Sequence, residues 1–385
     1  MHDARENTLM YGRALNCIVI LMGLIFWMSA HAKEPIRLFP KQGKRFFRIP
    51  GLAVTTKGTV LAFAGERKGS VGDFGHDTDV VVRRSTDGGV TWAEPKTILS
   101  AKGIDFHSGP VVVDRQTGSI FKFARSHGAK SKPGSDWRDN FILQSDDDGK
   151  TWTRSLLTLK NERASFRFGP GNGGHGIQLT DGRLVIHGGY WRVSGGKKRM
   201  SLCLIESRDQ GKSWHVMKGS DLDNAHVEFC IAETVAGRIY INIREKYTPM
   251  RLYTFIDPGK SSISEAKQVS GLPSAQCRAG MVKVQEADTA YLYFTGPTGK
   301  GRGHAARRDL SLFRCNLEGS LWERVALINQ GKAAYSDLAE LPNGDLACLY
   351  ESGDVRPDEE ILFLRIPKPK YLPNKELKAT DKSAP

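Results

Sequence analysis

One pattern occurs three times in the chain, as Ser85-Thr-Asp87-Gly-Gly89-Val-Thr-Trp92, Ser145-Asp-Asp147-Asp-Gly149-Lys-Thr-Trp152 and Ser207-Arg-Asp209-Gln-Gly211-Lys-Ser-Trp214. A box of form Ser-x-Asp-x-Gly-x-[Thr/Ser]-Trp returning about every 60 residues marks a fold made of stacked copies of one small β-unit. Each residue type has a local task. Asp is expected to accept hydrogen bonds from backbone N–H groups one or two residues ahead, closing a turn. Gly tolerates the positive φ of a tight hairpin. Trp fills the gap between adjacent sheets and offers its N–H to a partner. Such a box pins a turn and performs no chemistry.

Two weaker copies extend the series, Phe255-Ile-Asp257-Pro-Gly259 without the Trp and Cys315-Asn-Leu317-Glu-Gly319-Ser-Leu-Trp322 without the Asp. The Asp positions step by 60, 62, 48 and 60 residues. With a final unit expected around Asn343-Gly344-Asp345, the count predicts an all-β fold, a six-bladed β-propeller of four-stranded antiparallel blades. Residues 79–84, 182–187, 238–243 and 290–294 read as strands, being β-branched or aromatic and bounded by Gly, Asp or Pro. Long helical periodicity with caps is missing from the sequence, and 41 glycines in 385 residues suit many hairpins.

Residues 1–32 read as a secretory signal: Arg13 in a positive n-region, a mostly apolar stretch from Ala14 to Ser29, and Ala30-His31-Ala32 as a small-x-small cleavage site. Arg13 and His31 bracket about 17 residues, short for a membrane span, so no stable membrane insertion is expected after cleavage. A secreted or periplasmic protein with one domain over 33–366 and a polar tail over 367–385 is the expectation. Five cysteines remain past the leader, without zinc-like spacing, and allow one or two bridges. The net charge of +14 favours an anionic partner. Basic residues are scattered and no nucleic-acid-binding motif is present, so no nucleic acid is expected.

The boxes resemble the Asp boxes of the sialidases, and the residues between them strengthen the likeness. Phe46-Phe-Arg48-Ile-Pro50 resembles the Arg-Ile-Pro motif that carries the first of three sialidase arginines. The segment from Glu228 through Glu233 to Arg244 resembles the one carrying the second arginine. Glu228 is the preferred functional carboxylate of that segment, with Glu233 its alternative. Arg307 and Arg308 are two adjacent choices for the third arginine, Arg307 preferred. Arg suits a carboxylate because it is planar, always charged and bidentate. Ala334-Tyr335-Ser336 resembles the family's nucleophile motif, and sialidases with a Tyr nucleophile stand outside the two-carboxylate rule of glycosidases. A phenol starts neutral and so avoids repulsion by the substrate's own carboxylate.

By this resemblance, Arg48, Arg244 and Arg307 hold the carboxylate of a sialylated glycan, and Glu228 takes the proton of Tyr335. Asp73, in the Gly-bounded loop Gly72-Asp73-Phe-Gly75, donates one to the leaving group, with Asp77 and Asp79 as alternatives. Arg67 contacts the far side of the sugar, and Glu351 orients Arg48. The resemblance implies a retaining exo-α-sialidase, spans about residues 40–365, and needs no metal and no organic cofactor. The run Asp146-Asp147-Asp148-Gly149 is no calcium loop, since Ser155 stands where an EF-hand needs Glu. Gly169-x-Gly171-x-x-Gly174 is read as lacking the strand and helix that a dinucleotide site requires. A sialic-acid-binding propeller without turnover, a transferase with an acceptor platform among Trp137, Tyr190 and Trp191, and a hydrolase of a related acidic sugar stay open. Linkage preference and oligomeric state are not legible.

Overall fold

The computed structural model describes residues 34–367 except 129–138, 161–166, 195–196, 223–227, 246–249, 258–259, 261, 273–274 and 302. The leader and all of the tail but its first residue lie outside the described residues. The protein is all-β. Among the described residues, helix is confined to two short 3-10 turns, Val235–Gly237 and Gly303–Ala306, and no helix is long and apolar enough to cross a membrane.

The strands form curled antiparallel meanders. Arg45–Val54, Val60–Lys68, Thr78–Ser85 and Lys96–Leu99 pair in order, and Ile104–Val113, Ile120–Gly128, Asn140–Ser145 and Thr153–Leu156 repeat the arrangement. The expected strands at 79–84 and 290–294 lie inside Thr78–Ser85 and Thr289–Pro297. Those expected at 182–187 and 238–243 begin later, at Leu184 and Ile239.

Hydrogen bonding joins the strands into sheets of eight, six, four and seven rather than into separate sheets of four. Two local features cause the merging. Thr78 pairs in parallel with Asp105 and stitches the first two meanders together. Glu323–Glu340 is 18 residues long; its first half pairs with Arg308–Cys315 and its second with Leu346–Ser352. The first described strand, Ile36–Phe39, lies antiparallel on the last, Glu360–Ile366.

The boxes behave as repeated rivets. Trp92, Trp152 and Trp214 each donate Nε1–H to the carbonyl of their own box glycine at 3.1–3.2 Å. Each ring packs edge-on against a phenyl ring of another meander: Trp92 on Phe363 at 4.9 Å, Trp152 on Phe63 at 5.7 Å and Trp214 on Phe123 at 4.8 Å. The box carboxylates reach further than a simple turn requires. Asp87 accepts from the N–H groups of Val90 and Thr91, three and four residues ahead, and Asp147 accepts likewise from Lys150 and Thr151. The reason is backbone hand. In the third box Gln210 and Gly211 both take positive φ, 59° and 87°, which curls the loop around the Asp209 carboxylate. A Cβ on Gly211 would stand 2.1 Å from the Phe121 ring.

Asn343-Gly344-Asp345, where the final unit was expected, forms a plain turn. It closes the hairpin between Glu323–Glu340 and Leu346–Ser352, with Leu341 N donating to Asp345 O and Gly344 N to Leu341 O, both at 2.8 Å. Thr55–Thr59 and Leu179–Arg183 turn in the same way. In the first meander the box instead joins the third strand to the fourth. The sequence misplaces one glycine run: a short strand, Arg167–Pro170, does precede Gly171, although another strand, Ile177–Gln178, and no helix follows. The allowed bridges do not form either. Cys203, Cys230, Cys277, Cys315 and Cys348 are all free, buried thiols. They fall into four packing clusters; Cys230 and Cys315 share one and pack there among Tyr240, Phe294 and Trp322.

The core lies between meanders. One cluster packs Phe47, Ala62 and Val81 against Leu349, Ile361 and Phe363; another packs Phe121 and Phe123 against Leu184, Ile186 and Trp214. At one end of the strands a cavity of about 650 Å³ is lined by Leu52–Val54, Val111–Val113, Ile231–Glu233 and Leu338–Pro342. The opposite ends of three of these segments carry Arg48, Glu228 and Tyr335, so the cavity and the residues described next occupy different ends of the same strands.

Candidate active site

Arg48 is buried in the strand Arg45–Val54, where the ladder to Val60–Lys68 shifts register between Arg48 and Gly51. Its Nε donates to Glu351 Oε1 at 2.9 Å and its Nη2 to Glu351 Oε2 at 3.4 Å. Glu351, fully buried, also accepts from the backbone N–H of Ile49 at 2.9 Å and of Tyr335 at 3.3 Å. One carboxylate thus fixes an arginine and the backbone on two strands. A second buried carboxylate, Asp358, stands 3.2 Å from Arg48 Nη1. Burial would lower the Arg48 guanidinium, but Glu351, Asp358 and Asp73 outweigh it and hold it above its ordinary value.

Tyr335 occupies the centre of the cluster, 6% exposed. Its hydroxyl donates to Glu228 Oε1 at 2.6 Å and accepts from Arg244 Nη1 at 3.3 Å. Arg244 also forms a close ion pair with Glu228 Oε2. The Arg48 and Arg307 guanidinium carbons lie 5.6 and 5.3 Å from the Tyr335 ring centroid. Three arginines separated by up to 259 positions, Arg48 to Arg307, thereby meet around one phenol. Burial pushes that phenol's pKa up, the adjacent Glu228 pushes it further, and Arg244 and Arg307 only partly offset both. At rest Tyr335 is a neutral phenol whose proton already points at a carboxylate.

Arg307 directly precedes the strand Arg308–Cys315 and is 8% exposed; its Nη2 donates to Gln276 O at 3.2 Å. Among the described residues its buried Nε has no hydrogen-bond partner, which leaves donor capacity for an anion. Arg308 points away, its side chain 56% exposed and paired with Asp309. Alternation along an extended chain accounts for the contrast.

Asp73 stands on the loop between Val60–Lys68 and Thr78–Ser85, its side chain 62% exposed. Its Oδ1 lies 2.9 Å from Arg67 Nη2 and 3.4 Å from Arg48 Nη1. Desolvation raises its pKa, but Arg67 and Arg48 overcome that and leave the carboxyl below its ordinary value. The alternatives lie elsewhere. Asp77 accepts from Gly103 N at 3.1 Å, and Asp79 pairs with Lys68 at 2.6 Å. Glu233 accepts from the backbone and hydroxyl of Thr180 and lines the cavity at the far end. Tyr190 is buried in the core at 1% exposure, so it offers no platform; Trp137 and the Trp191 side chain lie outside the described residues.

Asp358 escaped the sequence reading, because Pro357-Asp358-Glu359-Glu360 looks like any solvated acidic run. So did the support beneath the cluster. Gly174, at φ +63°, lets the chain cross the buried Arg278; a Cβ there would fall 1.4 Å from Arg278 Nη2. Gly174 N donates to Pro50 O at 2.8 Å, and Asp337 accepts from Leu52 N at 2.8 Å and pairs with His175 at 2.9 Å. These contacts tie the strand of Arg48 to that of Tyr335.

A model of the BNR repeat-like domain family matches residues 58–348. The chain belongs to this family. Sialidases are among its relatives: it is 28% identical to a sialidase of Bacteroides fragilis (strain YCH46) over 338 residues, 80% of this chain and 60% of that protein. To a sialidase of Micromonospora viridifaciens it is 26% identical over 352 residues, 84% and 52% of the two chains. The chain thus spans between half and two thirds of the length of these relatives. Among solved structures, a Hadza microbial sialidase superposes with a TM-score of 0.72 at 23% identity, covering 84% of this chain and 66% of that one. That likeness establishes the shared propeller-like fold.

Proposed function

We propose that this protein is an exported exo-α-sialidase, a glycoside hydrolase that releases terminal α-linked sialic acid with retention of configuration. The observation that carries the reading is the Tyr335 hydroxyl, set 2.6 Å from Glu228 and ringed by Arg48, Arg244 and Arg307. A six-bladed ring is the architecture proposed to hold it. Its support is that the eight-stranded sheet divides into two four-strand meanders and that the first described strand pairs with the last.

In the proposed cycle the three arginines hold the substrate carboxylate. Holding a phenolate at pH ~6 against a reference pKa near 10 costs about 5 kcal/mol, so Glu228 takes the Tyr335 proton as the oxygen attacks the anomeric carbon. Asp73 protonates the departing oxygen. Its pairing with Arg67 and Arg48 keeps it ionised at rest; a bound sugar that engages Arg48 through its carboxylate and Arg67 through its far side, and excludes water, brings Asp73 to its protonated form. Water then displaces Tyr335 from the sugar with Asp73 as base, and two inversions give retention. Residues 1–32 are proposed to direct export before this work begins.

The purified chain is expected to release a fluorescent alcohol from a synthetic α-sialoside, with the α-anomer as first product by NMR. Sugar binding without release at any pH between 4 and 8 would identify a binding propeller instead. Within the clamp, Arg307→Ala is expected to cost about 2–3 kcal/mol, roughly 30–150-fold in kcat/KM, for a lost charge-assisted contact. Arg308→Ala should stay within about threefold of the parent, as an exposed pair is worth little.

A further inference from the structure

We propose that Phe74 is a positioning residue for Asp73, and that His107 and His127 of the second meander are its seat. The inference rests on the reading of Asp73 as the proton donor.

A proton donor on a loop must be held in place, and fixing a residue's backbone costs conformational entropy. Asp73 is flanked by Gly72 and Gly75, which favour freedom. Before Asp73, the loop is tied to its own hairpin: Arg67 Nη1 donates to Val71 O at 2.6 Å and to Gly72 O at 2.8 Å, and His76 Nε2 lies 2.6 Å from Gly72 O. Immediately after Asp73 the tie runs to the neighbouring meander. The half-buried Phe74 ring lies 5.3 Å from the His107 imidazole and meets that of His127 edge-on at 5.6 Å and 86°. The two imidazoles are 4.5 Å apart on the paired strands Ile104–Val113 and Ile120–Gly128, and Asp105 lies 3.3 Å from His107 Nε2. Aromatic rings that meet in this way attract one another beyond the effect of their buried area.

The seat matters because the other restraint on Asp73 is temporary. Arg67 and Arg48 hold its carboxylate at rest, and in the proposed cycle both also receive substrate, Arg48 its carboxylate and Arg67 the far side of the sugar. Once they turn to substrate, Asp73 loses those partners, while the contact of Phe74 with the imidazole pair involves no substrate-binding group. Phe74 therefore keeps the carboxyl near the glycosidic oxygen during the step in which its proton is used.

The test separates proton donation from general damage. Sialyllactose has a poor leaving group and needs the acid; 4-nitrophenyl sialoside expels a phenolate that does not. Phe74→Ala should lower kcat/KM on sialyllactose by roughly tenfold or more, within the 10²–10⁴ that general acid catalysis supplies, and change the nitrophenyl substrate by less than about threefold. Phe74→Tyr, which keeps the ring, should restore sialyllactose hydrolysis, and His127→Leu, which removes the seat and spares Phe74, should repeat the selective loss. In an Asp73→Asn background Phe74→Ala should add nothing further. Equal losses on both substrates, or an undiminished effect of Phe74→Ala in the Asp73→Asn protein, would overturn the proposal. Parent protein that cleaves neither substrate would instead sink the sialidase reading.

Discussion

Tyr335→Phe is expected to lose turnover by roughly a thousandfold or more, about 4 kcal/mol of transition-state stabilisation, while the protein still folds and still binds sialic acid. The change removes one oxygen. Glu228 keeps its ion pair with Arg244, so no buried carboxylate is left unpaired, and the phenyl ring still packs beneath Arg48 and Arg307. What disappears is the nucleophile and the proton path at 2.6 Å. Calorimetric affinity for the free sugar should stay within about threefold, since the arginine clamp supplies the charge-assisted contacts. The split between kcat and binding is the diagnostic. Hydrolysis at the parental rate would show that Tyr335 is a packed core residue, and a matching fall in affinity would make it part of the binding surface.

The sequence was legible where a residue acts within a few positions of itself. The boxes disclose their turns because Asp, Gly and Trp all act inside eight residues, and Arg48, Glu228, Arg244 and Tyr335 sit in short motifs of distinctive type. Their hydrogen-bond offset was not legible, since it depends on positive φ at positions such as Asp148 and Gln210, which is uncommon for residues other than glycine. The kind of turn at Asn343-Gly344-Asp345 was not legible, because plain hairpins and boxes both draw on Asn, Gly and Asp. Asp358 was missed because its partner, Arg48, lies 310 positions away and only the assembled sheet brings them to 3.2 Å. The merging of the first two meanders follows from a single backbone bridge, Thr78 to Asp105, that no side-chain pattern announces. The contact of Phe74 with the imidazole pair was not legible either, since His107 and His127 lie more than 30 positions away.

Glu351→Ala should be the most damaging single change to the cluster, lowering stability by about 3–5 kcal/mol, because it strips a buried guanidinium of its main counter-ion. Four donors converge on this carboxylate, two from Arg48 and the backbone N–H groups of Ile49 and Tyr335, and alanine leaves them facing an apolar gap. Ile49 makes the site prone to rearrange. It is β-branched and held at φ +63°, a conformation costing roughly 1–2 kcal/mol that persists only where its surroundings impose it. Without Glu351 the bulge carrying Arg48 relaxes, and the strand of Tyr335 loses its brace. Urea unfolding should show the midpoint fall at constant m, and turnover of the remaining folded protein should fall with it. This joint loss contrasts with Tyr335→Phe, where stability and turnover separate. Because part of the penalty is an orphaned arginine, the double variant Arg48→Ala/Glu351→Ala should be less destabilised than the two single changes added together. Strict additivity would mean that the pair does not act as one unit, and that Asp358 rather than Glu351 is the carboxylate that holds Arg48 in place.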